Sequence, residues 1–292
     1  MSALRGAPGG VAVLFALVVA GCEGDPAPPT PRQGVTSEPG EPGVLRLLGT
    51  GAMTPLAHRL AELWSRTPEG AAWRVEVEPS VGSGGGIRAA RDGVVDLGMI
   101  SRSLSERERT FGLREVVVAR GAVVLATQRT SSLQGMSRFE VERLYGGESP
   151  PEAPRWTLLL RDREESANDA LERWIPALRP LREVAYQQRR ARVLYHDEAM
   201  REALASTPGA VGVVDLGAVL GVHGALKGLA IDGVEPTLEA VREGRWKATR
   251  TLSFVYRPER AARVEGFLRF ASSLGARETL RESGCVEVFG GP

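Results

Sequence analysis

The chain has 292 residues, 42% of them hydrophobic and 25% charged, and a formal net charge of +1. That length allows one large domain or two smaller ones with ample surface to bury, and the composition is ordinary for a globular protein. Near-neutrality excludes the electrostatic pull on phosphate backbones that nucleic-acid binders rely on, so no nucleic acid is expected as a partner.

The first segment carries Arg5, then an apolar run from Val11 to Ala20, then Gly21-Cys22. A short basic start, a brief apolar stretch and small residues before a cut describe a secretory signal over 1–21, too short for a permanent membrane span. Val19-Ala20-Gly21-Cys22 resembles the bacterial lipobox, which predicts lipidation of Cys22 and attachment to a membrane through the lipid. Removal of Arg5 would leave basic and acidic residues equal in number. Residues 22–43, rich in Pro, Gly and Glu, have little to bury and read as a disordered tether. The expected location is the cell envelope, on the periplasmic or cell-surface side. With Cys22 taken by lipid, Cys285 is left unpaired and no disulfide framework forms. His58, His196 and His223 lie far apart and match no metal-ligand spacing, so neither a metal nor a cofactor is expected.

From Val44 the chain reads as a folded body. Val44–Leu48 is a buried strand that ends at Gly49-Thr50-Gly51-Ala52-Met53-Thr54-Pro55. Thr54 is expected as the N-cap of the next helix, with Pro55 as its first residue. A second strand, Trp73–Val77, leads to Val81-Gly82-Ser83-Gly84-Gly85-Gly86-Ile87, read as a glycine turn before a helix beginning at Ile87. Free amides and the positive end of a helix dipole at such a turn suit an anion. The spacing is not that of a dinucleotide turn, because Ile87 stands at the third glycine position, and it lacks the lysine of a P-loop. A third strand, Val94–Ile100, ends at Ser101-Arg102-Ser103, with Ser103 or Ser105 capping a short helix. Three strands thus end in Thr, Ser or Ser-Arg at one edge, and open α/β sheets bind ligands outside the carboxyl ends of their strands.

Leu113–Ala119 and Ala122–Ala126 form a long β run broken at Gly121, a candidate crossover between two lobes. Met136–Tyr145 reads as a helix and prolines 150, 151 and 154 as a loop. Trp156–Arg161 reads as a strand, and Ser166–Trp174 and Asp197–Ala205 as helices. Ala210–Val214 and Leu252–Tyr256 are strands, and Pro258 opens a last amphipathic helix.

These stretches, in this order, resemble the phosphate-binding proteins of phosphate ABC importers, within the type II periplasmic binding-protein superfamily. The residues that carry the likeness are Gly49–Leu56, Val81–Ile87, Asp96–Leu104, Pro208–Val214, and Gly233–Glu239 together with Arg250-Thr251-Leu252. The resemblance implies an α/β fold of two lobes, with mixed sheets flanked by helices and a ligand cleft between the lobes. Lobe I would take 44–124 plus 225–292, and lobe II 125–224. It implies a ligand site of Thr50, Gly51, Ala52, Ser83, Gly84, Gly85, Ser101, Arg102, Arg161 and Ser166. The implied partners are inorganic phosphate or a related oxyanion and the membrane subunits of an ABC transporter, with the protein itself a monomer. The arginines suit this role because a guanidinium meets a tetrahedral oxyanion with two parallel hydrogen bonds.

One motif departs from the family. After Arg161 the family has a Gly-Ser-Gly-Thr turn around the anion, whereas this chain has Asp162-Arg163-Glu164-Glu165-Ser166-Ala167-Asn168. Two carboxylates stand where amides are expected, and Arg163 is a candidate partner for one of them. Glu165 could accept a proton from a protonated phosphate oxygen. The alternative is the same fold with a diverged cleft, acting as a sensor or interaction lipoprotein without transport. An enzyme such as a phosphatase is a distant third, since no nucleophile–base constellation is legible and no catalytic residue is assigned.

Overall fold

The computed structural model describes residues 43–148, 156–220 and 224–288. The expected signal segment, Cys22, most of the tether and the proline loop at 150–154 lie outside them.

The apolar runs become strands and the 3.6-period runs become helices, in alternation. The first part contains β1 (Val44–Gly49), α1 (Thr54–Ser65), β2 (Arg74–Val77), α2 (Gly82–Arg91), β3 (Leu97–Ile100), α3 (Glu106–Arg109) and β4 (Arg114–Gln128). The middle contains β5 (Gly135–Met136), α4 (Arg138–Gly146), β6 (Thr157–Arg161), α5 (Ser166–Trp174), α6 (Leu178–Gln187), β7 (Arg192–Leu194), α7 (Asp197–Ser206), β8 (Ala210–Asp215) and α8 (Gly217–Leu220). The last part contains β9 (Leu226–Gly228), β10 (Ala230–Ile231), α9 (Leu238–Arg242), β11 (Thr249–Tyr256), α10 (Ala261–Ala271), α11 (Arg277–Glu282) and β12 (Cys285–Glu287).

The main sheet runs β2-β1-β3-β11-β4-β8-β6-β7, with β12 and β9 also pairing with β4. β1 pairs in parallel with β2 and β3, and β6 in parallel with β7 and β8. Between these parallel groups β11 is antiparallel to both β3 and β4, and β4 is antiparallel to β8. The parallel strands therefore emerge as two groups joined through two long antiparallel strands. Parallel strands need helical crossovers, and α1, α2, α5 and α7 supply them.

Gly121 does not break the long β run; β4 is a single strand of 15 residues. It takes part in two cores. One packs Leu45, Leu47, Leu60, Trp64, Val118 and Ala119 with Phe254 and Phe267. The other packs Val123, Val124 and Leu125 with Leu159, Leu171, Met200, Val213 and Trp246. Edge-on aromatic pairs anchor each core: Trp64 with Phe267 at 5.4 Å between ring centres, and Trp174 with Trp246 at 4.8 Å. Each fully buried side chain of this size contributes ~1.5–3 kcal/mol by leaving water.

Two local expectations are corrected and one helix is added. Thr54 does not cap α1: a 3-10 turn over Gly51–Met53 runs straight into the helix, so Met53 takes the cap position and Thr54 is already helical. The glycines at 82–86 are not a turn before a helix but its first turns, since α2 begins at Gly82. They are there because α2 lies almost on the sheet backbone. A Cβ added to Gly86 would come within 2.8 Å of the Leu48 carbonyl oxygen and 2.9 Å of the Met99 carbonyl oxygen. The helix α6, in which Pro180 falls within the first turn, was not foreseen; there the missing N–H costs nothing. Ser105 does cap α3, with a complete capping box to Glu108.

Candidate functional site

The strand ends bring side chains from four loops to one point. Ser101, just past β3, is the hub. Its Oγ lies 3.1 Å from Thr50 Oγ1, 3.3 Å from Ser83 Oγ and 2.7 Å from Ser166 Oγ, and its backbone N–H donates to Ser83 Oγ at 3.1 Å. Thr50 follows β1, Ser83 lies in the first turn of α2, and Ser166 is the first residue of α5. Thr50, Ser101 and Ser166 are buried. Each hydroxyl carries one rotatable donor, so the cluster can turn up to four O–H groups towards an acceptor.

Two buried guanidiniums stand beside it. Arg250, at the start of β11, donates from Nη1 to Ser166 Oγ at 2.8 Å and to Glu165 Oε1 at 2.9 Å. Its Nη2 meets both carboxylate oxygens of Asp215, at 2.5 and 2.6 Å. Arg161, at the end of β6, reaches Asp197 Oδ1 at 2.9 Å and Glu165 Oε2 at 3.3 Å. Its backbone carbonyl accepts a hydrogen bond from Tyr186 Oη, which ties the strand end to α6. Glu165 therefore bridges the two arginines. Burial alone would push its carboxyl up, but the neighbouring Arg250 and Arg161 charges and hydrogen bonds outweigh that and hold it below the ordinary carboxylate range. Burial likewise weakens the charge on Arg250, and Asp215, Glu165 and Asp197 more than restore it.

Of the residues expected at the site, Thr50, Ser83, Ser101, Ser166 and Arg161 come together. Gly51 and Ala52 line a cavity beside them, where a Cβ on Gly51 would lie 3.3 Å from both Asp197 Oδ2 and Ser80 Oγ. Gly84 and Gly85 follow Ser83 in the first turns of α2. Arg102 is engaged elsewhere, donating to both oxygens of Glu108 at 2.7 and 2.8 Å. Arg163 pairs with Glu183 rather than with Glu164 or Glu165, and Glu164 points to solvent.

Sequence reasoning did not place Arg250, Asp197 or Asp215. Asp215 follows the apolar part of β8 and could have been found by the strand-end rule that found Thr50 and Ser101. Arg250 lies on an antiparallel strand and enters the site from its amino end, so that rule does not reach it. Among the described residues no cluster of His, Cys, Asp and Glu could hold a metal ion, and Cys285 is a buried free thiol pushed up to about 12 by burial.

A family model described as "PBP superfamily domain" matches residues 36–273. The chain belongs to the PBP superfamily. It is 26% identical over 107 residues to a phosphate-binding protein, PstS 2, of Streptococcus agalactiae. That match spans 37% of this chain and only 36% of the relative's length. Among solved structures, it is similar to a phosphate ABC transporter substrate-binding protein from Clostridium perfringens, solved with bound phosphate. The TM-score is 0.73 at 20% identity, over 84% of this chain and 99% of that one. An ABC-type phosphate transport receptor from Vibrio cholerae matches with a TM-score of 0.62 at 18% identity, covering 84% of this chain and all of that one. At these identities the likeness carries the fold, which is the α/β periplasmic-binding-protein fold expected from the sequence.

Proposed function

We propose that this PBP-superfamily protein is a lipid-anchored solute-binding protein of the cell envelope. It closes two lobes on a small protonated oxyanion, foremost inorganic phosphate, and delivers it to an ABC importer. The observation that carries the reading is the convergence of four hydroxyls from four loops with the buried guanidiniums of Arg161 and Arg250. The relatives' phosphate-binding descriptions support the choice of anion. The two cores on β4 support two lobes, and the packing of Leu226, Ile231 and Trp246 with the second core supports a return to lobe I at β11 rather than at residue 225.

The charge balance selects the form of the ligand. Glu165, Asp197 and Asp215 outnumber Arg161 and Arg250 around the site. A fully ionised tetrahedral dianion would be repelled there, whereas an anion that keeps a proton can donate it to Glu165. Phosphate keeps such a proton near neutrality and sulfate does not. Titration calorimetry should therefore show phosphate binding with sulfate at least ten-fold weaker. Glu165→Gln should strengthen sulfate at least ten-fold while changing phosphate less. Failure of phosphate, sulfate, molybdate and tungstate alike to bind at millimolar concentration would reject the oxyanion reading.

The engagement of both guanidiniums by carboxylates favours a second reading, a diverged cleft that serves a sensor or interaction lipoprotein without transport. In that case Glu165 acts as a fixed internal anion, and Glu165→Gln should raise phosphate and sulfate affinity equally.

A further inference from the structure

Arg250 faces two ways. Its Nη1 serves the hydroxyl cluster and its Nη2 holds Asp215, and both Arg250 and Asp215 border a cavity of about 200 Å³ that none of the four hydroxyl-bearing residues lines. That volume is the share of roughly seven liquid waters, more than the spare room a tetrahedral anion needs. Gly51, Ala52 and Asp197 belong to its wall, and Asp197 also holds Arg161 at the hydroxyl cluster, so the two spaces adjoin. Part of the wall is apolar, formed by Leu56, Ala122, Val214 and Leu252.

The ion pairs around the cavity leave one lining arginine without a carboxylate partner among the described residues. Glu282 is paired with Arg59 at 2.8 Å, Asp215 with Arg250, and Asp197 with Arg161 from outside the cavity. Arg201, the remaining charged residue of the lining, is exposed and makes no ion pair with a described residue. It follows Asp197 by four residues in α7, so it lies on the same face one turn, about 5–6 Å, farther from the cluster.

The geometry points to a ligand longer than inorganic phosphate: a phosphomonoester of two or three carbons that ends in a carboxylate. Its phosphoryl group sits at the hydroxyl cluster, its carbon chain crosses Gly51 and Ala52 along the apolar wall, and its carboxylate meets Arg201. This assignment rests on the oxyanion reading of the hydroxyl cluster.

Calorimetry with inorganic phosphate, glycerol 3-phosphate and 3-phosphoglycerate tests it. The expected order places 3-phosphoglycerate at least ten-fold tighter than inorganic phosphate. Arg201→Ala, at an exposed position that folding does not depend on, should weaken 3-phosphoglycerate by roughly ten- to hundred-fold. It should leave inorganic phosphate and glycerol 3-phosphate within about two-fold, the change expected of a site that has lost no contact. Ala218→Phe, which fills part of the cavity, should abolish the advantage of 3-phosphoglycerate and spare inorganic phosphate. Tight phosphate binding with equal or weaker ester binding would overturn the assignment and leave the phosphate reading standing. Equal losses for all three probes in Arg201→Ala would also overturn it. Absence of binding by any probe would remove both.

Discussion

Glu165 shows how a single side chain changes what a ring of hydroxyls and guanidiniums can do. From its place after Arg161, the sequence predicts a carboxylate facing the ligand. The structure adds that it bridges Arg161 and Arg250, a partner 85 residues away that no local pattern signals. Arg102 teaches the converse. Its strand-end position made it a ligand candidate, yet the bidentate bond to Glu108 engages its fork. That hydrogen bond, with the neighbouring charge and the capping contacts to Ser105, outweighs burial and holds the Glu108 carboxyl down to about 2 from 4.5. A carboxyl whose folded value is lowered adds stability that is complete above its unfolded value and is lost as pH falls through the folded one. Glu108→Gln should therefore be less stable than the parent protein at pH 7, and the gap should shrink between pH 4.5 and about pH 2. Thermal midpoints of both proteins across that range check it, and a gap that widened on acidification would contradict it.

At the scale of elements, α2 is the instructive case. The sequence run Gly82–Gly86 reads as a flexible anion turn, because glycine is the usual mark of a turn. The structure uses the same glycines to lay a helix against the sheet, where Gly86 meets the Leu48 and Met99 carbonyls and Gly98 faces the Gly86 carbonyl. This close approach sets Ser83 within reach of Ser101, so the glycines serve the site by packing rather than by flexibility. Gly86→Ala would push a methyl group into backbone atoms that cannot swing aside. It should destabilise the protein by ~1–3 kcal/mol, read as a lower urea midpoint with an unchanged m-value. An intrinsic helix-propensity gain from Ala of about 1 kcal/mol works in the opposite direction, so a net stabilisation would show that the helix can lift off the sheet. Most element types were legible from periodicity, α5 to the residue. The start of α1 was not, because a 3-10 turn and an α-helix share the same first-turn residues and only the backbone hydrogen bonds separate them.

For the whole molecule, the two cores are joined by covalent continuity as well as by packing. β4 carries Val118 and Ala119 into one core and Val123 to Ala126 into the other, and β11 pairs with it across the junction. Arg250 adds a polar tie at the same level through Ser166, Glu165 and Asp215. Loss of either core would strip β4 of its buried partners, so unfolding should be a single transition. Trp64 and Trp73 report one core, and Trp156, Trp174 and Trp246 the other, so each substitution below weights the fluorescence towards the opposite core. In urea, Trp64→Phe and Trp246→Phe variants should each show fluorescence and circular-dichroism transitions that coincide; separate midpoints would mean that the cores unfold independently.

Sequence by itself determined the alternation of strands and helices, the strand ends at Thr50, Ser101 and Arg161, and the absence of the turn glycines before Ser166. These are local matters of periodicity, breakers and caps, which neighbouring residues settle among themselves. Only the tertiary structure decided that Arg250, Asp197 and Asp215 join the site, that Arg102 is held by Glu108, and that a cavity bordered by Arg201 opens beside it. Those outcomes depend on which long-range strands pair and on how few ångströms separate charges brought together by the fold, and a charge's partner is chosen by distance in space rather than in sequence.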